Sequence, residues 1–145
     1  MAEKNLPFSL KKLEEITEKY QTPFHIYDEK AIRENAKRLK EAFSSFDGFQ
    51  EFFAVKATPN PFIMKILKEE GFGSDCSSIA ELLLAEKIGV SGENIMFSSN
   101  DTPAFEFIKA KQMGAIINLD DISHIDFLEK TAGLPQLLCF RYNPG

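Results

Sequence analysis

A chain of 145 residues and 16.4 kDa, 43% hydrophobic and 27% charged, has the make-up of a folded domain with a core of its own. Its 17 basic and 22 acidic residues leave a net charge of -5, without the basic stripe that phosphate contacts need, so a nucleic-acid partner is not expected. No apolar run approaches the roughly 20 residues of a membrane span, and the opening MAEKNLPFSLKKLEE has charges but no apolar stretch behind them, so neither a membrane nor a secretory leader is expected.

The pattern predicts a first helix from Ser9, an N-cap candidate, with Leu10, Leu13, Ile16 and Tyr20 at helical spacing. Pro23 to Tyr27 (PFHIY) reads as a short strand, and Asp28 caps a longer amphipathic helix through Ile32, Ala36, Leu39 and Phe43 that Gly48 stops. A rhythm then sets in. Phe52–Lys56 (FFAVK), Gly73–Cys76, Asn94–Ser99, Ala115–Leu119 and Leu137–Arg141 are predicted strands. A helical segment follows each of the first four, and three of those segments end on Gly71, Gly89 and Gly114. Strands alternating with helices imply right-handed crossovers and a parallel α/β sheet.

Two architectures fit that alternation, an open doubly wound sheet and part of a (β/α)8 barrel. Polar residues stand repeatedly at the C-terminal ends of the strands: Lys56, Asp75, Ser98 with Asn100, Asp120 and Arg141. A barrel gathers all such ends at one mouth, whereas an open sheet gathers only those beside its switch point. The barrel is therefore the expected fold.

Lys56 closes an apolar run of Phe52, Phe53, Ala54 and Val55. An ammonium at the lip of such a strand is expected to be partly desolvated, which frees the amine as a nucleophile able to form Schiff bases with aldehydes. Cys76 alternates with Asp75 and should point to the helices as a small buried hydrophobe. With Cys139 it makes two thiols far apart, in no metal spacing, which predicts a reducing cytoplasm with no disulfide and no metal site. His25 reads as strand packing and His124 as a helix-surface residue, neither of them catalytic. Asp75 and Ser78 have a plainer reading as helix caps, as do Asn100 and Asp101 before Pro103; Glu81 could simply favour a helix N-terminus, and Arg141 could pair with a helix carboxylate.

Three motifs together carry a resemblance: AVKA around Lys56, G-x-G-x-D-x-x-S-x-x-E-L from Gly71 to Leu82, and FSSNDTP from Phe97 to Pro103, followed in order by AIINLDD and CFRYNPG. From about Thr22 to Gly145 the chain resembles the start of the alanine-racemase-like barrel decarboxylases, which use pyridoxal 5'-phosphate (PLP), and most of all their diaminopimelate branch. The resemblance implies about five βα units, the N-terminal part of a PLP-binding (β/α)8 barrel over 28–145. It also implies that 1–27 is a helix and strand joining a separate β domain. Lys56 would bind PLP covalently and be the catalytic residue. Asp75, Arg141, Ser98 and Asn100 would be cofactor-binding, and Glu81 a supporting residue.

The implied reaction is decarboxylation of meso-2,6-diaminopimelate to L-lysine and CO2 in the cytoplasm, by a homodimer whose only small partner is an amino-acid substrate. The same residues leave room for a decarboxylase of ornithine, arginine or carboxynorspermidine, for a non-enzymatic PLP-carrying barrel protein, and for a small flavodoxin-like binding module. No glycine-rich phosphate loop and no histidine suited to stacking on the cofactor ring occur in these residues. In the family such groups, with the acid that meets the pyridine nitrogen, come from later strands. The expectation is thus an N-terminal portion of the enzyme, inactive alone.

Overall fold

The computed structural model describes residues 6–142 and Pro144. Residues 1–5, and Asn143 and Gly145 of the CFRYNPG match, lie outside the described residues. Helix α1 (Leu10–Lys19) starts where the sequence predicts, with the Ser9 hydroxyl accepting from the Lys12 amide at 3.2 Å. Helix α2 (Glu29–Ala42) is capped by Asp28, which accepts from the Ala31 amide at 3.0 Å. The alternation follows: β1 (Phe52–Ala54), α3 (Pro61–Glu69), β2 (Gly73–Cys76), α4 (Ile79–Lys87), β3 (Ile95–Ser98), α5 (Ala104–Gln112), β4 (Ile116–Leu119), α6 (Ser123–Thr131) and β5 (Leu138–Phe140).

Two expectations are corrected. Residues 23–27 form no strand, because an extended segment is stabilised only by a ladder partner and none of the five strands of the sheet pairs with it. His25 is accordingly exposed rather than packed. The first strand of the sheet also ends at Ala54 instead of Lys56. Val55 turns inward to full burial and the Thr58 amide donates to its carbonyl at 3.1 Å, closing a single 3₁₀ turn over Val55–Ala57.

All four strand pairings are parallel and the order is β1-β2-β3-β4-β5. A doubly wound sheet reverses its order at a switch point, and this one never does. Each right-handed crossover steps the same way, so α3 to α6 lie on one face of a sheet with barrel order. The flavodoxin-like alternative is thereby removed.

Register partners share a face in a parallel ladder. Cys76, Phe97, Ile117 and Leu138 form one row toward the helices, and the first three are fully buried. Phe97 meets Phe107 of α5 edge-on, with centroids 6.3 Å apart, in a core that also holds Val55, Leu82 and Leu128. Truncating Phe97 to Ala would cost roughly 3–5 kcal/mol by the usual scale for buried aromatics. A second cluster of Ala36, Ile63, Leu67 and Phe72 seats α2 against α3.

The opposite face carries half-buried residues in two rows, Ala54–Asp75–Met96–Ile116 and Ser98–Asn118–Cys139. Gly73 shares this face with Asp75 by alternation, and nothing larger fits there. A Cβ there would come within 2.6 Å of both the Asn94 carbonyl oxygen and the Phe52 ring.

Candidate functional site

The helix-free face leads upward to the C-terminal ends of the strands. Asp75 stands on β2, Ser98 at the end of β3, and Asn118 on β4 in register with Ser98. The Asn118 amide donates to the Ser98 hydroxyl at 3.1 Å. Arg141 follows β5, held by its own amide, which donates to the Leu119 carbonyl at 2.9 Å, and by its guanidinium, which donates to Asp120 at 3.2 Å. The plainer reading of Arg141 as partner of a helix carboxylate gives way to a partner at the end of the neighbouring strand.

Asp75 is the electrostatic centre of this group. Burial raises its carboxyl above the ordinary range, and the Ser98 hydroxyl and the positive charges of Lys56 and Arg141 draw it back down, while Glu81 adds to the rise. One of its oxygens, Oδ1, is buried with no hydrogen-bond partner among the described residues. A buried acceptor in that state costs free energy unless another group reaches it. Lys56 lies close enough for its charge to act on Asp75, yet its side chain is exposed on the 3₁₀ turn rather than set in apolar surroundings. The desolvation expected of it from the sequence is not present among the described residues.

The remaining candidates separate cleanly. Ser78 is the N-cap of α4, accepting from the Glu81 amide at 3.4 Å, and Glu81 reaches back to the Ser77 amide at 2.8 Å and the Ser77 hydroxyl at 3.0 Å, as in a capping box. Asp75 takes no part in that cap. Asn100 is exposed on the bend after β3 and makes no side-chain hydrogen bond with Ser98 or Asp75, and neither it nor Asp101 caps α5. Burial and the nearby carboxylates Glu81 and Asp75 push the Cys76 thiol up to about 12, which suits a packing residue and not a reagent. His124 is not on the surface. It is half-buried, its ring edge-on to Phe107 at 6.2 Å, because the first turn of α6 packs against α5.

Asn118 is the residue that sequence reasoning missed. The signal was available: a polar residue between the buried Ile117 and Leu119 must, by strand alternation, face the same side as Ser98. Together these groups offer an exposed primary amine, an acid with one free buried oxygen, and a hydroxyl–amide pair beside them. That donor set suits the aldehyde end of a cofactor such as PLP.

Residues 29–145 match the family described as pyridoxal-dependent decarboxylase, pyridoxal binding domain. Protein TabA of Pseudomonas amygdali pv. tabaci is 46% identical over 132 residues, covering 91% of this chain and 30% of the relative. Diaminopimelate decarboxylase of Methanothermobacter thermautotrophicus is 37% identical over 131 residues, 90% of this chain and 31% of the relative. Among solved structures, diaminopimelate decarboxylase from Helicobacter pylori complexed with L-lysine superposes with a TM-score of 0.80 at 30% identity, covering 91% of this chain and 34% of that one. The chain spans about a third of the length of the relatives it matches. Its sequential parallel sheet is therefore the N-terminal part of a PLP-binding barrel, and the chain belongs to the pyridoxal-dependent decarboxylases, whose pyridoxal binding domain it carries from residue 29 onward.

Proposed function

We propose that the whole protein decarboxylates meso-2,6-diaminopimelate to L-lysine and CO2, a proton taking the place of the carboxylate that leaves. The observation that carries the site reading is Lys56 at the lip of the sheet beside Asp75, whose Oδ1 is buried and unpartnered. The preference for diaminopimelate rests on relatives of that name at 31–37% identity. PLP, when bound, supplies an electron sink for the bond that breaks.

The roles of this chain's residues follow from their placement. The Lys56 amine would hold the cofactor at its aldehyde carbon, the aldehyde oxygen leaving as water, and Nζ is placed to carry a proton to or from the reacting centre. Asp75 faces the cationic nitrogen of Lys56 and steadies it. Ser98, held by Asn118, stands near Asp75 and its hydroxyl favours the ionised carboxylate. Arg141, anchored by Asp120, brings positive charge to the same lip. Asn100 is the remaining cofactor contact in this reading, reaching from the bend after β3.

In this reading 28–145 is barrel, 1–27 packs against a second, β-rich domain, and the enzyme is a cytoplasmic homodimer. The test uses the full-length protein loaded with PLP and reduced with borohydride. The expected result is a cofactor-labelled peptide containing Lys56, with label and cofactor absorbance both lost in Lys56→Ala. Label on another lysine, or label kept by Lys56→Ala, overturns the site. CO2 release measured across diaminopimelate, ornithine, arginine and carboxynorspermidine tests the substrate, and faster turnover of any of the last three overturns that choice.

A further inference from the structure

The connection from β2 to α4 is two residues long, Ser77 and Ser78, and two carboxylates from different units hold it and the first residue of α4 that follows. Glu81 does so from within α4, through the Ser77 amide and hydroxyl. Glu106 does so from α5, accepting from the Ile79 amide at 2.7 Å. Glu106 is only 7% exposed, and a carboxylate is seldom buried without a task. Its partner is the first amide of α4, a donor with no acceptor inside its own helix. Ser78 already serves the amide of Glu81, so the two acceptors answer different donors.

The placement closes a bracket. Asp75 leads through Ser77 and Ser78 into α4, and Ser98 leads through residues 99–103 into α5. The bond from Ile79 to Glu106 joins the first turn of α4 to the first turn of α5, directly after those two connections. A second side-chain link between the same helices, Lys109 to Glu86 at 2.6 Å, joins the far end of α4. We propose that Glu106 is a positioning residue, which acts through the Ile79 amide to set Asp75 against Ser98 and Lys56. The proposal rests on Lys56 and Asp75 forming the PLP site.

The test compares Glu106→Asp, Glu106→Ala and Glu106→Gln in the full-length protein. It reads PLP affinity, the pH midpoint of the bound-cofactor absorbance, and thermal unfolding. Asp withdraws the acceptor by one methylene, Ala deletes it, and Gln keeps an acceptor oxygen without the charge. The groups that face Asp75 directly, Lys56, Glu81, Ser98 and Arg141, are the same in all.

The expected result is PLP affinity weakened about tenfold in Asp and Ala, the size of one lost hydrogen bond. The pH midpoint should move by about half a unit or more in both, with Gln within twofold of the parent. Should Ala fail to fold, Asp and Gln decide the matter. A lower melting temperature with affinity and midpoint unmoved makes Glu106 merely structural and overturns the proposal. So does a Gln variant as impaired as Asp, since charge and not the bond would then be at work. If Lys56→Ala still traps PLP, the site reading itself fails; if Lys56 stands and Glu106→Asp changes nothing, only the positioning role fails.

Discussion

At the lower end of the sheet, where helices stop and strands begin, the carbonyl of the residue capping the C-terminus of each of the helices α3 to α6 accepts a hydrogen bond from the preceding unit. At the upper end, buried polar atoms are left without partners. Lys40 donates to the Glu70 carbonyl at 3.0 Å, Lys68 to Ile88 at 2.8 Å and Lys111 to Ala132 at 2.6 Å. At α5 the Gly92 amide donates to Met113 at 2.8 Å in place of a lysine. Each of those four carbonyls precedes a glycine of positive φ, so one device recurs: a left-handed glycine ends the helix and a donor from the neighbour satisfies it. The buried side-chain atoms with no partner among the described residues are Asp75 Oδ1, Thr102 Oγ1 and His124 Nδ1, which belong to a strand, the connection after β3 and the first turn of α6, on the C-terminal side of the strands. Helix ends satisfied at one side of the sheet and a few buried polar atoms left unpartnered at the other fit the division of stability from chemistry that barrels show.

The sharpest way to break that comparison is at the mouth. Lys56→Ala should abolish borohydride-trapped PLP while shifting stability by no more than about 0.5 kcal/mol, because the side chain is exposed. A large loss of melting temperature in the cofactor-free variant would show that the mouth also holds the fold. Asp75→Asn should go further and separate the two properties in sign. The folded carboxyl is raised, so between the unfolded and folded values the native state binds more protons and stability falls as pH rises. Asn carries no such penalty. The cofactor-free variant should therefore melt higher than the parent at neutral pH, with the advantage shrinking as the pH falls toward the ordinary carboxylate range, while its PLP affinity drops. A variant less stable than the parent at neutral pH would mean that Asp75 has a structural partner after all.

At the lower end the expected losses are of stability alone. Gly114 has a φ of 73° and a Cβ there would stand 3.3 Å from the Gly92 Cα, so Gly114→Ala sets strain against backbone that cannot swing aside. It should cost about 1–2 kcal/mol in thermal unfolding and leave PLP binding unchanged.

The same division explains what could be read in the chain before its structure. The βα alternation, the glycines that end helices and the inward turn of Cys76 are local or period-two signals, and each is found where the sequence places it. The strand at 23–27 failed because pairing is not local: PFHIY has strand composition but no ladder. Lys56 was legible as chemistry but not as a turn residue, since the burial of Val55 that bends the chain is a tertiary event. Asn118 could have been found by alternation. Glu106 could not, because its partner amide lies 27 residues earlier and only packing of α5 on α4 brings them together. The lysine caps are hidden for the same reason, each reaching 20 to 30 residues along the chain.

Those lysines give the smallest effects and the finest test. Replacing each by Met keeps the aliphatic stem over the apolar surface and removes only the charge and its bond. Lys111 is part-buried and makes the shortest contact, so Lys111→Met should cost about 1 kcal/mol, while the exposed Lys40→Met and Lys68→Met should cost roughly half as much. The three caps lie at the ends of different helices and share no partner, so the triple variant should lose close to the sum. High salt should shrink the Lys40 and Lys68 effects more than that of Lys111, because exposed charges are screened and part-buried ones much less. Thermal unfolding of the full-length variants at low and high salt measures this order, with PLP affinity as the control. If PLP affinity fell in step with stability, the lower end would be communicating with the mouth. The lysines would then be part of one cooperative unit, and the separation between the two ends would be lost.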